Sequence, residues 1–197
     1  MSNKRYGSRL LGLFRAHRLN SFGFFFVMAK SVQNFINALE TPSDINEHLL
    51  ALYSLAARCA SVVEFGVRYG ISSTALIAAR PDSLVSYDMT LEPRALQIFK
   101  DGKDDGVNCE LIQKSSFDVE LDEPCMLFID TDHSYACLSK ELSIHGNKPS
   151  KYLVFHDTVS YAHELMPAIN EFLASNSSWG VLQHFEHNNG LLVLKRV

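Results

Sequence analysis

From residue 61 onward, short apolar runs alternate with turns and helical patterns, and this alternation leaves the chain few folds. The runs cover 61–65, 84–87, 109–112, 125–129 and 152–155. Helical patterns at 72–79, 94–100, 134–144 and 162–174 separate or follow them, the last one having to accommodate Pro167. Runs this short and continuous suit strands buried on both faces. Strand–helix alternation implies an α/β architecture, a mostly parallel sheet with helices on both faces and right-handed crossovers. Two further runs, 179–185 and 191–195, flank the turn His187–Asn188–Asn189–Gly190. Turn residues of that kind between apolar runs predict an antiparallel hairpin, which brings the sheet to seven strands. In open sheets of this type ligands lie beyond the carboxyl ends of the strands, so the functional residues are expected just after each run.

The segment before residue 61 reads as helical. Val32, Phe35, Ile36 and Leu39 recur at three- and four-residue spacing, and Thr41–Pro42–Ser43–Asp44 breaks the pattern. Ser43 or Asp44 is expected to cap a second helix that presents Leu49, Leu52, Tyr53 and Leu55. Residues 1–29 form a basic, aromatic arm ending in Phe22–Gly23–Phe24–Phe25–Phe26–Val27. Three roles are open for it: a targeting peptide, a membrane-surface or partner-binding arm, or a segment packed on its own domain or on a second copy in a homodimer. The expected division is therefore an arm at 1–29, covering helices at 30–60 and a ligand-binding domain at 61–197.

Charge narrows the partners. The first 39 residues carry six Lys or Arg and no acid, leaving 12 basic against 22 acidic residues in the rest. So acidic a body does not suit a general nucleic-acid binder, which needs a basic field. Cys59, Cys109, Cys125 and Cys137 form no C-x-x-C pair. A disulfide scaffold is not expected, and a reducing, cytoplasmic setting is.

The strongest local signal is Glu64–Phe65–Gly66–Val67–Arg68–Tyr69–Gly70–Ile71–Ser72–Ser73. A strand ends beside an acid, and two glycines bracket a turn into a helix whose first N–H groups are free. Glycine lets backbone approach a ligand closely. The spacing differs from the G-x-G-x-x-G of pyrophosphate sites, and Glu64 at the loop would suit a ligand carrying an ammonium group. Asp88 ends the second strand, where nucleotide-type folds hold ribose hydroxyls.

These residues resemble the cofactor site of class I S-adenosylmethionine-dependent methyltransferases. The resemblance covers about residues 61–197 and implies a Rossmann-like, doubly wound sheet. It places Gly66–Gly70, with Ser72 and Ser73, along the methionine part of the cofactor, Glu64 near its amino-acid moiety and Asp88 on its ribose. Ser116 and Phe117, after the third strand, are implied contacts of adenine. Phe128–Ile129–Asp130–Thr131–Asp132–His133–Ser134–Tyr135 is similar to the F-I-D-G-D-H-x-Y segment of a small-molecule subgroup related to catechol-type O-methyltransferases, with Thr131 in place of glycine. Leu153–Val154–Phe155–His156–Asp157 is similar to the subgroup's apolar run followed by H-D. The resemblance implies a small-molecule acceptor, methylated at a hydroxyl oxygen. It also implies a divalent cation, Mg²⁺ or Mn²⁺, on Asp130 and Asp157, with His156 as a third candidate ligand. An imidazole suits Mn²⁺ better than Mg²⁺. Asp130 would serve both cofactor and catalysis. His133, three residues on, is the candidate general base, since an ordinary imidazole titrates near ~6.5.

Other readings compete. A module that keeps the pocket without catalysis, or a metal-dependent enzyme of different chemistry, would use the same strand-end residues. His184 and His187 fall on opposite faces of a strand, and His145 and His163 read as surface residues. No G-x-S-x-G or G-x-x-x-x-G-K-[ST] occurs, which disfavours serine hydrolases and ATPases.

Overall fold

The structure is a computed structural model that describes residues 14–18 and 24–197. Strands β1 (Phe14–Arg18) and β2 (Phe24–Met28) pair antiparallel. The rest of the basic arm and its three candidate roles lie outside the described residues. Then come α1 (Lys30–Glu40), a 3₁₀ turn at Asn46–His48 and α2 (Leu49–Ala56). The alternating region follows as β3 (Ser61–Phe65), α3 (Ile71–Ala78), β4 (Ser83–Asp88), α4 (Pro93–Asp104) and β5 (Cys109–Gln113). A 3₁₀ turn at Ser116–Asp118 leads to β6 (Met126–Ile129), α5 (Tyr135–His145), β7 (Tyr152–His156) and α6 (Ala162–Ser175), which contains Pro167. The hairpin strands β8 (Trp179–Phe185) and β9 (Leu191–Arg196) close the chain.

Seven strands form one sheet in the order β5-β4-β3-β6-β7-β9-β8. The first five are parallel, and β9 joins β7 antiparallel with β8 on its outer edge. The fold is the mostly parallel α/β sheet expected from the alternation, and the Rossmann-like, doubly wound one that the resemblance implied. Its winding starts at β3, runs outward to β5, then returns to β6 on the other side of β3. The two strands diverge at their carboxyl ends, which is where such sheets open a crevice.

Alternation within each strand divides the interior. Met126 and Phe128 of β6 join the core under α1–α4, while Leu127 and Ile129 join the core under α5 and α6. All four are at most 4% exposed. Burial on both faces is why this strand reads as an unbroken apolar run. Among the described residues no helix is long and apolar enough to cross a membrane.

The second helix begins later than its sequence suggests. Neither Ser43 nor Asp44 caps it; Ile45 precedes the 3₁₀ turn without a side-chain cap. The Asp44 carboxylate accepts instead from the Arg68 guanidinium at 2.6 Å, because the tertiary fold brings a cation closer than the helix end.

At the crevice, Gly66 has a φ of +82°, and a Cβ there would lie 1.9 Å from the Asp130 carbonyl oxygen. Gly106 also has a positive φ, +78°, but only the tip of Arg80 lies near its added Cβ. Gly106→Ala should cost about 1 kcal/mol, the ordinary cost of left-handed backbone. Gly66→Ala should cost more than about 3 kcal/mol, because β3 and β6 must also part. Urea denaturation of both variants measures the difference, and equal losses would refute the close approach as a constraint.

Candidate functional site

Beyond β3 the chain turns through Gly66–Gly70, and Gly70, in left-handed conformation, precedes α3. Asp88, at the end of β4, organises this turn. Its Oδ2 accepts the backbone N–H groups of Val67 and Arg68 at 2.7 and 2.8 Å. Its Oδ1 accepts from the backbone and hydroxyl of Thr90 at 2.9 and 3.3 Å. Burial opposes the charge, but these bonds outweigh it and hold the carboxyl below its usual range. A ribose would compete for lone pairs that now hold the loop.

Glu64 is placed differently from the expectation that it faces the loop's ligand. It is 0% exposed and does not line the cavity. The hydroxyls of Ser72, Ser73 and Ser86 donate to its carboxylate at 2.6, 2.7 and 2.6 Å. Burial pushes its pKa up to about 7, against the pull of the three serines. The residue ties the start of α3 to β4 beneath the turn. Ser73 is fully buried in that tie, while Ser72 still touches the cavity.

A cavity of about 570 Å³ opens over the crevice, within the usual size of small-molecule sites. Of the residues expected at the site, Gly66, Ser72, Asp88, Ser116, Phe117, Asp130, His133 and Asp157 line it. Glu64, Gly70, Ser73 and His156 do not. The rim also carries the Arg68–Asp44 ion pair, which links the turn to the segment before α2.

Ser116 points its hydroxyl away from the cavity, donating to Glu141 Oε1 at 2.6 Å. Thr131 donates to Glu141 Oε2 at 2.9 Å. His145 Nε2 lies 2.8 Å from the Ser116 carbonyl, and the ring is buried against Phe65. Two expectations are thereby corrected. His145 is not a surface residue, because the helix bearing it turns inward under the 116–118 loop. Thr131 is more than a turn variant, because its hydroxyl joins the loop after β6 to α5. Glu141 carries no motif and was invisible to sequence reasoning. Its signal was a lone acid on the apolar side of a helix.

Past the ends of β6 and β7 lies a cluster of two carboxylates and two imidazoles. His133 Nε2 lies 2.8 Å from Asp157 Oδ2 and 3.6 Å from Asp130 Oδ1. His156 Nδ1 lies 3.4 Å from a carboxylate oxygen of each acid. Those contacts are too poorly aligned to be hydrogen bonds, and both ring nitrogens of buried His156 lack a hydrogen-bond partner among the described residues. One atom each from Asp130, His156 and Asp157 fall within 4.8 Å of one another. Asp157 has a φ of +60°, so the turn after β7 is strained at a site residue.

The electrostatics bear on the role expected of His133. Contacts with Asp130, then Asp157, raise its pKa to about 9. Beside two carboxylates the imidazole favours its protonated form, and their charge sets how firmly it holds that proton. Burial alone would discharge His156, but the two acids raise it to about 10. The acids are held below their usual range by the imidazoles, against burial. Of the hairpin histidines only His184 lies on β8, its Nε2 3.1 Å from the Thr158 hydroxyl; His187 is past the strand end in the turn, so strand alternation does not apply to it, and its ring packs on His48.

No protein-family model matches the chain, and no curated protein sequence matches it. Solved structures do. A Corynebacterium glutamicum protein superposes with a TM-score of 0.67 at 16% identity, over 87% of this chain and 91% of that one. A Staphylococcus aureus protein described as a caffeoyl-CoA O-methyltransferase gives 0.61 at 16% identity, over 99% of each chain. The N-methyltransferase NodS from Bradyrhizobium japonicum, in complex with S-adenosyl-L-homocysteine, gives 0.59 at 12% identity over 85% and 96%. The chain has a methyltransferase fold. At these identities the fold is what is shared.

The buried Glu64 carries a pH signature. Its pKa is about 7 in the folded protein against about 4.3 in an unfolded chain. The neutral acid is therefore tolerated below about pH 4.5, and stability is lost as pH rises through about 7. Glu64→Gln removes this dependence. Relative to wild type, the variant should gain on the order of 2–4 kcal/mol between pH 5 and pH 8, read from urea midpoints. A constant difference across that range would show Glu64 to be charged throughout.

Proposed function

We propose that this protein is an S-adenosylmethionine-dependent methyltransferase of the small-molecule subgroup related to catechol-type O-methyltransferases, acting on a hydroxyl oxygen. The observation that carries this reading is the continuity of the cavity. One space of about 570 Å³ touches Gly66, Asp88 and Phe117 at the cofactor residues and Asp130, His133 and Asp157 at the ionisable cluster. Donor and acceptor can therefore meet inside it. The likeness to a protein described as an O-methyltransferase and to an S-adenosyl-L-homocysteine complex supports the same reading.

In this reading the turn 66–70 lies under the methionine part, Asp88 takes the ribose and Phe117 faces adenine. Lys140 Nζ, 3.9 Å over the Phe117 ring centroid, helps hold that ring in place. The acceptor oxygen attacks the methyl carbon in line with the sulfonium. The C–O bond forms as the C–S bond breaks, its electron pair stays on sulfur as S-adenosylhomocysteine, and the acceptor loses its proton. Holding the two atoms about 3–3.5 Å apart supplies much of the rate.

Asp130, His156 and Asp157 fit a divalent cation. Two carboxylates converge with a buried imidazole whose nitrogens have no hydrogen-bond partner among the described residues, and mixed nitrogen and oxygen donors suit Mn²⁺ better than Mg²⁺. When bound, such an ion lowers the pKa of a coordinated hydroxyl. His133 contacts the acceptor from the cavity wall. Were the two carboxylates engaged as ligands, their hold on its proton would weaken and Nε2 would be able to take the proton of the acceptor hydroxyl.

Calorimetric titration with S-adenosylhomocysteine should show micromolar binding, weakened at least about tenfold in Asp88→Ala. Absent binding in folded wild type would end the methyltransferase reading. Transfer from methyl-labelled S-adenosylmethionine to a panel of phenols and aliphatic alcohols tests the second half. His133→Ala should lower turnover on the active acceptor about 10²–10⁴-fold while leaving cofactor affinity within about threefold. Full activity in that variant removes His133 from the chemistry.

A further inference from the structure

We infer that His48, from the helical segment before the sheet, is a positioning residue that holds His156 in the tautomer able to bind a metal through Nδ1. The inference rests on the metal-binding half of the proposed function.

His48 stands 108 positions before His156 in the chain, yet it is 1% exposed and the two rings meet edge-on, centroids 5.7 Å apart. Its Nε2 lies 3.0 Å from two backbone oxygens, those of His187 and Asn188. Carbonyl oxygens only accept, so Nε2 carries the proton. A second proton on Nδ1 would be a buried charge with no partner. Nδ1 is therefore a bare acceptor, and among the described residues it has no hydrogen-bond partner of its own. The neighbouring ring has the complementary need, since His156 Nε2 is also buried and without a partner among the described residues.

An Nε2–H on His156 satisfies both, by a small closure of the rings or through one bridging water. The proton that a metal displaces is then the one on Nδ1, the nitrogen that lies 3.4 Å from Asp130 and from Asp157, while Nε2 keeps its own. Metal-ligating histidines commonly have the other ring nitrogen fixed in this way.

The hairpin tip makes His48 rigid enough for the task. Asn188 Nδ2 donates to the Ser43 carbonyl at 3.0 Å, and Asn189 Nδ2 to that of Asp44 at 3.3 Å. The Asn189 carbonyl accepts from the backbone N–H groups of Val159 and Ser160, two and three residues past Asp157. A Cβ on Gly190 would lie 2.6 Å from the Val159 nitrogen, so the tip seats directly on that turn. One element thus fixes His48 and the strained turn that carries Asp157.

Co²⁺ titration followed by visible absorption tests this in the full chain. His48→Phe, which fills the space without an acceptor, should weaken Co²⁺ binding about 10–100-fold and alter its bands. His48→Gln offers an N–H to the tip carbonyls and an oxygen to His156, and should restore most of both. Binding by His48→Phe equal to wild type overturns the inference, as does equal loss in the two variants, which would make His48 a packing residue. Nitrogen-15 spectra of the rings in Zn²⁺-loaded wild type read the tautomers without any substitution. His48 and His156 should both be Nε2–H, and an Nδ1–H on His156 overturns the inference. If wild type binds neither ion, the inference falls together with the metal site. S-adenosylhomocysteine binding, measured separately, then decides the cofactor half.

Discussion

The approach of the Gly66 backbone to the Asp130 carbonyl is the constraint on which the rest of this structure depends. Here the winding reverses, with β3 and β6 adjacent and their following loops sent to opposite sides. The Asp130 N–H still bonds to the Phe65 carbonyl at 2.8 Å, so the strands stay paired up to the point where they diverge. Any side chain at position 66 would force them apart earlier. The crevice, the turn over α3 and the place of Asp130 within reach of His156 and Asp157 all follow from that one contact.

Two buried acids then hold the walls of the cavity without entering it. Glu64 gathers three serine hydroxyls beneath the glycine turn. Glu141 gathers Ser116 and Thr131 on the opposite side. Burying a carboxylate is costly unless hydrogen bonds replace its water, and both groups have them. The result is a rigid frame for a ligand. The four ionisable groups past β6 and β7 are the opposite case. They offset one another's charge, yet neither ring nitrogen of His156 has a hydrogen-bond partner among the described residues, a state that a protein interior tolerates poorly and that a metal on Nδ1 would relieve.

Much of the frame was legible in the chain. The parallel strands could be read because burial on both faces leaves an unbroken apolar run between turn residues, as in 125–129 and 152–155. The closing hairpin was visible in Asn188–Asn189–Gly190. The residues that touch the cavity were legible too, since a strand end followed by glycine or acid is a local pattern. Side-chain direction was not. Glu64 and Ser116 stand at the expected positions but turn toward buried partners, 8 to 25 residues away, that no local pattern reveals. Asp44 read as a helix cap because its own neighbourhood suggested nothing better, and only the folded chain supplies Arg68. His145 read as exposed because nothing near it in sequence shows that α5 packs beneath the 116–118 loop.

The sequence by itself determined the succession of strands and helices along the chain and the set of polar residues delivered to the strand ends, because each follows from short-range periodicity and turn chemistry; the reversal between β3 and β6 belongs to the folded sheet. Only the tertiary structure decided how those residues are charged and held. The raised pKa of His133 arises from Asp130, three positions away, and then from Asp157, which only the fold brings near from 24 positions away. His48 reaches His156 across 108 positions, through a hairpin tip that packs on both of their surroundings. Electrostatic and hydrogen-bonding environments depend on distance through space, and that distance exists once the sheet has closed.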